Sequence, residues 1–451
     1  LTLSRGERLR KLVHVSCGGF AFLLRDLHPA QAAAMATLAF LFNWQVLPRI
    51  GGRRLWREGE HAQGYPRGIL LYPLSVLGLI LFFWGAPWMA AALWGVLAFG
   101  DGMATVLGQA LGGPRLPWNQ DKGYAGLAAF VVFGTLGAAV LTAWTLRRPL
   151  DPFAWHAPRT LGVALAVALV CALVETLPTT LDDNLTVPLV GALTLPLLAE
   201  AEPSLAMGDP GLPGRVLVGL GLNVAVALAA MAAGSIDPPG AASAAFIGTV
   251  ITAGVGVGGF AVMAAFFVLG SVVTRLGYRV KAARGIAQEK GGARGWRNAW
   301  ANGAVPAFLA ALAGATAAPL RDLVVLAYAA SVATAAADTC SSEVGKAYGR
   351  RTFLITSLRP VPPGTEGAVS LEGTLAGFVG GLIVAFTGTA FGLYGAGAAL
   401  LVAVAGLLGS LAESVLGTVA ERRGWMSNDL LNATNTAIGA AFVFLLAEVW
   451  P

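Results

Sequence analysis

Long apolar stretches separated by short polar ones organise this chain of 451 residues. Most of the stretches run about 17–25 residues, long enough to carry a helix across a hydrocarbon core about 30 Å thick. About fifteen of them can be delimited on that criterion: residues 11–25, 30–48, 68–85, 88–112, 124–146, 159–178, 183–199, 214–234, 240–257, 258–276, 299–317, 319–346, 369–389, 392–420 and 430–449. The pattern predicts an all-α fold, a polytopic transmembrane helical bundle with little soluble mass.

Composition agrees with the pattern. Apolar residues make up 56% of the chain and charged residues 12%, where a soluble domain carries about 25% charged. Half that leaves too few charges to coat a globule in water. The 59 glycines suit close helix packing in lipid. Cys17, Cys171 and Cys340 fall in apolar segments without a CxxC, which argues against disulfides and a cysteine metal site. The net charge of +6 sits largely in loops, where it reports topology rather than nucleic-acid binding. Loop 49–67 carries Arg49, Arg53, Arg54, Arg57 and Arg67. Loop 275–297 carries Arg275, Arg279, Lys281, Arg284, Lys290, Arg294 and Arg297 against Glu289. By span count both share a side with Arg5, Arg8, Arg10 and Lys11, and the positive-inside rule makes that side cytoplasmic.

Comparing the halves brings out a direct repeat. Asp101-Gly-Met-Ala-Thr105-Val-Leu-Gly108-Gln-Ala-Leu-Gly112 aligns without gaps to Asp338-Thr-Cys-Ser-Ser342-Glu-Val-Gly345-Lys-Ala-Tyr-Gly349. A loop with basic residues follows each, Arg115 to Lys122 and Arg350 to Arg359, and then an apolar span. Glu175 and Glu413 stand near the end of the next span. An acid-and-amide cluster opens the one after: Asp182-Asp183-Asn184, and Asn428-Asp429 with Asn432 and Asn435. Order and predicted orientation match, so the chain reads as two parallel modules, residues 1–205 and 206–451, with their polar clusters at cytoplasmic helix ends. A secondary transporter would instead place its polar groups near the midplane, often in inverted repeats.

Asp101, Thr105 and Gly108 fall on one helix face, as do Asp338, Ser342 and Gly345. An acid within a membrane span is costly and usually functional. Carboxylates and amides converging at a helix end can hold Mg²⁺, which takes oxygen ligands and keeps waters and substrate phosphates. The candidate ligands are Asp101, Asp182 and Asp183 in the first module, and Asp338, Glu343 and Asp429 in the second. Lys122, Arg350, Arg351 and Arg359 are candidates for phosphate oxygens; Lys346, Thr105, Ser342, Asn184 and Asn432 line the same helix ends. The alternative for each Asp is a helix-end acid that snorkels or caps. Arg10, Lys11 and His14 open the first span; on spacing alone they read as a basic flank with an interfacial histidine. Asn298 and Asn302 hold the matching place in the second half, where helix–helix hydrogen bonding is the other reading. No G-x-x-x-x-G-K-[ST] occurs. Gly254-Val-Gly-Val-Gly-Gly259 matches GxGxxG, but it lies between two apolar spans and reads as a helix junction.

The first-half residues Asp101-Gly-Met-Ala-Thr-Val-Leu-Gly108, Leu116-Pro-Trp-Asn-Gln-Asp-Lys122-Gly-Tyr-Ala-Gly126, Glu175 and Asp182-Asp-Asn-Leu-Thr-Val-Pro188 resemble the phytol kinase and dolichol kinase family. Arg10-Lys11-x-x-His14 fits that family's N-terminal motif. The second half resembles a transmembrane family that includes phytyl-phosphate kinase. It does so through Gly270-Ser-Val-Val-Thr-Arg-Leu-Gly277, Lys281, Gly285-Ile-Ala-Gln-Glu-Lys290, Ala301-Asn-Gly303, Asp338-Thr-x-Ser-Ser-Glu343-Val-Gly-Lys346, Glu366-Gly-x-Val-Ser370-x-Glu372-Gly373 and Asn428-Asp-x-x-Asn432. The resemblance implies a bifunctional kinase of a bacterial inner (plasma) membrane. It would use CTP and Mg²⁺ to turn an isoprenoid alcohol into its monophosphate and then its diphosphate. Asp101 is then the first candidate base and Glu175 the second, with Asp338 and Glu413 as counterparts. Arg10, Lys11, His14, Asn298 and Asn302 become substrate or nucleotide contacts. A lipid-phosphate transporter or flippase, and a cytidylyltransferase of the CDP-diacylglycerol synthase type, are the competing readings; the signature of the latter is missing.

Overall fold

The computed structural model describes residues 5–56, 60–61, 64–148, 157–286, 295–421 and 423–447. Arg57, Glu289, Lys290 and Arg294, from the two basic loops, lie outside the described residues. The chain divides into two compact units, Leu1–Glu200 and Ala201–Pro451.

Almost everything described is helical. Among the described residues ten helices are long and apolar enough to cross a membrane, and the protein is a helical, multi-pass integral membrane protein. Five of the fifteen expected spans fall short of that standard, for physical reasons. Residues 11–25 split into a helix ending at Cys17 and a 3₁₀ segment, Gly18–Arg25. Residues 30–48 break at Leu41 into a π turn, Phe42–Val46. The helix Arg67–Phe82 has only 16 residues. Asp183–Glu200 and Trp296–Gly314 are full-length helices, but their charged or amide-bearing ends dilute the apolar stretch.

In the first unit α1 (Arg5–Cys17), α2 (Pro29–Leu41) and α3 (Arg67–Phe82) precede α4, Pro87–Leu111. A hairpin of β1 (Arg115–Leu116) and β2 (Asn119–Gly123) follows, then α5 (Tyr124–Thr145), α6 (Ala157–Glu175) and α7 (Asp183–Glu200). The core forms where Leu93, Val96 and Leu97 of α4 meet Phe130 and Leu141 of α5, Val167 of α6 and Leu195 of α7.

The second unit opens with α8 (Leu212–Ala232), α9 (Pro238–Val255), α10 (Val257–Arg275), the short α11 (Tyr278–Ala283) and α12 (Trp296–Gly314). Then comes α13, Leu320–Tyr348, and a hairpin of β3 (Thr352–Leu354) and β4 (Ala368–Ser370). The helices α14 (Leu371–Ala390), α15 (Ala396–Leu416) and α16 (Asn428–Ala447) complete it. The most apolar window of α13 is 78% buried against 22% for α8, so α13 is the axis of the unit and α8 lies at its periphery. The glycine run 254–259 is the junction between α9 and α10. Gly256 turns the chain at φ +84°, open to glycine at no steric cost. A Cβ at Gly254 would fall 1.9 Å from the carbonyl oxygen of Ala310.

The same order of parts recurs in each unit: an Asp-bearing helix, a two-stranded hairpin, then three helices, the second bearing a Glu and the third opening with an acid. One close contact recurs as well. A Cβ on Gly108 would lie 3.0 Å from Cα of Gly126, the third residue of α5; one on Gly345 would lie 3.8 Å from Cα of Gly373, the third residue of α14. Gly108 and Gly345 are the seventh residues after the two aspartates, so in each unit the Asp-bearing helix meets the start of the helix after the hairpin at the same register.

Candidate functional site

The site of the first unit is built on α4. This helix widens into a π turn over Val96–Asp101, a distortion frequent at functional sites, and Asp101 ends that turn with 5% exposure. A carboxylate so buried needs partners. Lys11 of α1 supplies one, Nζ to Oδ2 at 2.9 Å, and His14 Nε2 lies 3.3 Å from the same oxygen. The His14 ring nitrogen is also 3.0 Å from Leu97 O on the π turn. Tyr72 packs edge-on to the His14 ring, with centroids 4.6 Å apart, and accepts a hydrogen bond from Trp94 Nε1 at 2.8 Å. Lys11 and His14, one turn apart on α1, therefore clamp one carboxylate.

Lys122 approaches from the hairpin. Its ammonium donates to Glu175 Oε1 at the end of α6 and lies 3.5 Å from Asp183 Oδ2 at the start of α7. The hairpin is fastened beside Glu175: Trp118 Nε1 donates to Thr176 Oγ1 at 3.1 Å, and Asn119 Nδ2 donates to Thr176 O at 3.0 Å. Burial works against the Lys122 charge, but Asp183 and Glu175 outweigh it and hold the ammonium above its ordinary value. One carboxylate oxygen each from Asp101, Glu175 and Asp183 lie within 4.8 Å of one another. The three acids come from separate helices, brought together by the fold.

Other expected residues of this unit sit differently. Asp182 Oδ1 accepts from the backbone N–H of Asn184 at 3.0 Å and from its Nδ2 at 2.7 Å, a local turn that draws it out of the three-carboxylate group. Asn184 Oδ1 is buried without a hydrogen-bond partner. Thr105 Oγ1 donates back to Asp101 O at 3.3 Å, and Arg10 is half-buried on α1.

The second unit encloses a polar cavity of about 210 Å³. Asp338, Ser342, Glu343 and Lys346 of α13 line it, with Glu413 of α15, Asp429 and Asn432 of α16, and Asn298 and Asn302 of α12. Asp338 and Glu413 bring carboxyls from two helices to the same cavity wall. Arg350, Arg351 and Arg359 are exposed and form no part of the lining; they flank the hairpin outside. Arg350 touches Glu372 only through its backbone N–H, at 3.4 Å. Among the described residues that line it, Lys346 is thus the one cation beside five acids: Asp338, Glu343, Glu366, Glu413 and Asp429.

Glu343 has a further partner, Lys281 of α11, whose ammonium also donates to Thr274 O at 2.7 Å. Both side chains of the pair are almost fully buried, at 1% and 3% exposure. Reading the sequence put Lys281 in a basic loop as a topology marker and among the residues that carry the second-half resemblance, but gave it no site role; the fold reveals it as a buried partner. Ser341, Glu366, Ser370, Thr374 and Ser410 also line the cavity without having been picked out as site residues. Glu366 and Ser370 belong to the Glu366-to-Gly373 motif, which was the available signal.

A helical bundle that brings acids and lysines from separate helices together at buried positions defines a polytopic integral membrane protein with built polar sites. The family described as integral membrane protein DUF92 matches residues 221–440, and the chain belongs to it. An uncharacterized membrane protein of Synechocystis sp. is 45% identical over 219 residues, 48% of this chain and 84% of that protein. The chloroplastic protein VTE6 of Arabidopsis thaliana is 36% identical over 219 residues, 47% of this chain and 66% of that one. A probable chloroplastic phytol kinase of Zea mays is 30% identical over 208 residues, 43% of this chain and 67% of that protein. No solved structure matches the chain.

Proposed function

We propose that this protein is a two-site prenyl kinase, with the first unit phosphorylating an isoprenoid alcohol of the phytol or geranylgeraniol type and the second phosphorylating the monophosphate. CTP is the proposed donor and Mg²⁺ the metal. The observation that carries the reading is the buried Asp101–Glu175–Asp183 group with Lys11, His14 and Lys122 around it, in an element order that recurs around Asp338 and Glu413. Likeness to proteins named phytol kinases supports the choice of substrate.

The donor set fits Mg²⁺. It is all oxygen, and a spacing within 4.8 Å is close to the about 4.2 Å between opposite oxygens around that ion. Mg²⁺ is usually held by one or two carboxylates plus waters and phosphates, so Asp101 and Asp183 suffice and Glu175 is left for other work. When bound, the metal neutralises charge developing on the transferred phosphoryl group. The alcohol oxygen attacks the γ-phosphorus, its proton passes to a base, and the bond to the β-phosphate oxygen breaks to release CDP. Asp101 is held by Lys11 and His14, which makes it a poor proton acceptor. Glu175, whose partner Lys122 is on a movable side chain, is the better one. In the second unit the acceptor is already an anion, and Lys346 is the residue placed to draw it in.

The test is direct. Purified protein with CTP, Mg²⁺ and a panel of prenols, read by mass spectrometry, is expected to yield monophosphate and then diphosphate. A CDP-lipid product would make it a cytidylyltransferase, and an unchanged alcohol with every nucleotide would end the kinase reading.

A further inference from the structure

Among the described residues three buried or half-buried lysines form ion pairs with acids, and they are not equivalent. Lys11 is 9% exposed at its side chain and Lys281 1%, whereas Lys122 is 31% exposed. Lys281 is also tied to the backbone at Thr274. Among the described residues the Lys122 ammonium pairs with carboxylates, those of Glu175 and Asp183. The body of its hairpin is fixed by Trp118 and Asn119 at Thr176. The part free to move is therefore the flexible four-carbon stem.

The position of the ammonium matters. It bonds two of the three carboxylates whose oxygens form the close group. A single positive charge there stands beside the place a divalent ion would take. At that range the two cations repel strongly in a site partly removed from water, and the same oxygens cannot serve both. We infer that Lys122 is a resident counter-cation which an incoming divalent ion displaces from Glu175 and Asp183. Displacement has two consequences. Glu175 loses its ammonium partner and becomes a free carboxylate able to take a proton. The released ammonium, anchored at the same spot, turns toward solvent, where the phosphates of a donor arrive with the metal. Cation loading and the unmasking of the base are then one event, and without metal the base stays blocked. Lys122 is on this account a positioning residue for Glu175 as well as a phosphate contact.

The inference rests on the metal reading proposed above, and the experiment separates the two. Mn²⁺ serves as the probe, with binding followed by electron paramagnetic resonance on the full chain in nanodiscs. The wild type, Lys122→Met, Lys122→Arg and Asp183→Asn are compared, and the component lost in Asp183→Asn is assigned to this site. Lys122→Met is expected to tighten that component by on the order of tenfold or more, because the competing charge is gone. Lys122→Arg, which keeps the charge, is expected to leave it as weak as in the wild type. Equal or weaker affinity in Lys122→Met overturns the inference, and so does equal tightening in both variants, which would mark a structural effect. A total lack of Asp183-dependent Mn²⁺ removes the metal site and this proposal together. Prenol phosphorylation by the wild type, assayed on the same preparation, reports on the kinase reading alone: turnover with unchanged Mn²⁺ affinities sinks only the displacement.

Discussion

At the scale of single residues, the acids were legible and their partners were not. Asp101, Glu175, Asp183, Asp338 and Glu413 stand out because a carboxylate in an apolar background has a cost that only a role offsets. Lysines do not stand out in the same way. Lys11 ends one basic segment and Lys281 lies within another, where the positive-inside rule explains them without any pairing. Nor does the sequence separate Asp182 from Asp183. Adjacent residues entering a helix point in different directions, so one caps a turn with Asn184 while the other reaches Lys122. The Lys281–Glu343 pair yields a sharp expectation. With 1% and 3% exposure, removing one partner strands a buried charge, at a cost of about 3–5 kcal/mol. Lys281→Met and Glu343→Leu are each expected to lower the unfolding midpoint in detergent, and the Lys281→Met/Glu343→Leu double variant to recover much of the loss. A double variant as unstable as the sum of the singles would show that the two charges are not coupled.

At the scale of elements, length and apolarity located the helices well and misjudged how many are long, apolar spans. Four of the five misses are places where the chain leaves α-helix, at Gly18 and Phe42, or where polar residues stand in the first turn of a helix, Asp183 and Asn298; the fifth, Arg67–Phe82, is short. Periodicity carries no sign of a π turn or a 3₁₀ segment. The direct repeat was legible as matched residues, but its meaning is a packing register: the Gly108–Gly126 approach and the Gly345–Gly373 approach. The interface of α13 with α14 is tighter still one turn on. A Cβ at Gly377 would lie 2.0 Å from Ser341 Oγ and 2.7 Å from Ala337 O. Gly377→Val is therefore expected to force α14 away from the Asp338 helix, costing about 1–3 kcal/mol as overpacking does. Gly78→Val, at a position with nothing within 4 Å, is the matched control. Thermal unfolding of both variants checks this. Equal midpoints would mean that α14 yields freely and does not fix the cavity wall.

At the scale of the whole molecule, the question is whether two sites act in series, and each unit supplies a variant that asks it. By the positive-inside rule the basic loops put the expected cytoplasmic side at both hairpins, so Trp118→Cys and Thr356→Cys are expected to react with a membrane-impermeant thiol reagent from that side; labelling from opposite faces would refute the expected parallel repeat. The functional test goes further. Asp101→Asn removes the carboxylate that Lys11 and His14 clamp and is expected to abolish phosphorylation of the alcohol, while monophosphate supplied from outside is still converted. Asp338→Asn is the converse. Asp338 lines the cavity with Lys346 and Glu413. Replacing the acid by its amide keeps the shape and removes the charge. A preorganised group of this kind contributes on the order of a hundredfold or more to turnover. Asp101, Glu175 and Asp183 all belong to the other unit and keep their own partners. Asp338→Asn is therefore expected to make monophosphate at the wild-type rate and to stop there, so that monophosphate accumulates and diphosphate is lost, as mass spectrometry of the lipid extract can read. Diphosphate formed at the wild-type rate would reduce Asp338 to a buried helix-end acid, and loss of both products in a well-folded protein would mean that the two units do not work as separate sites.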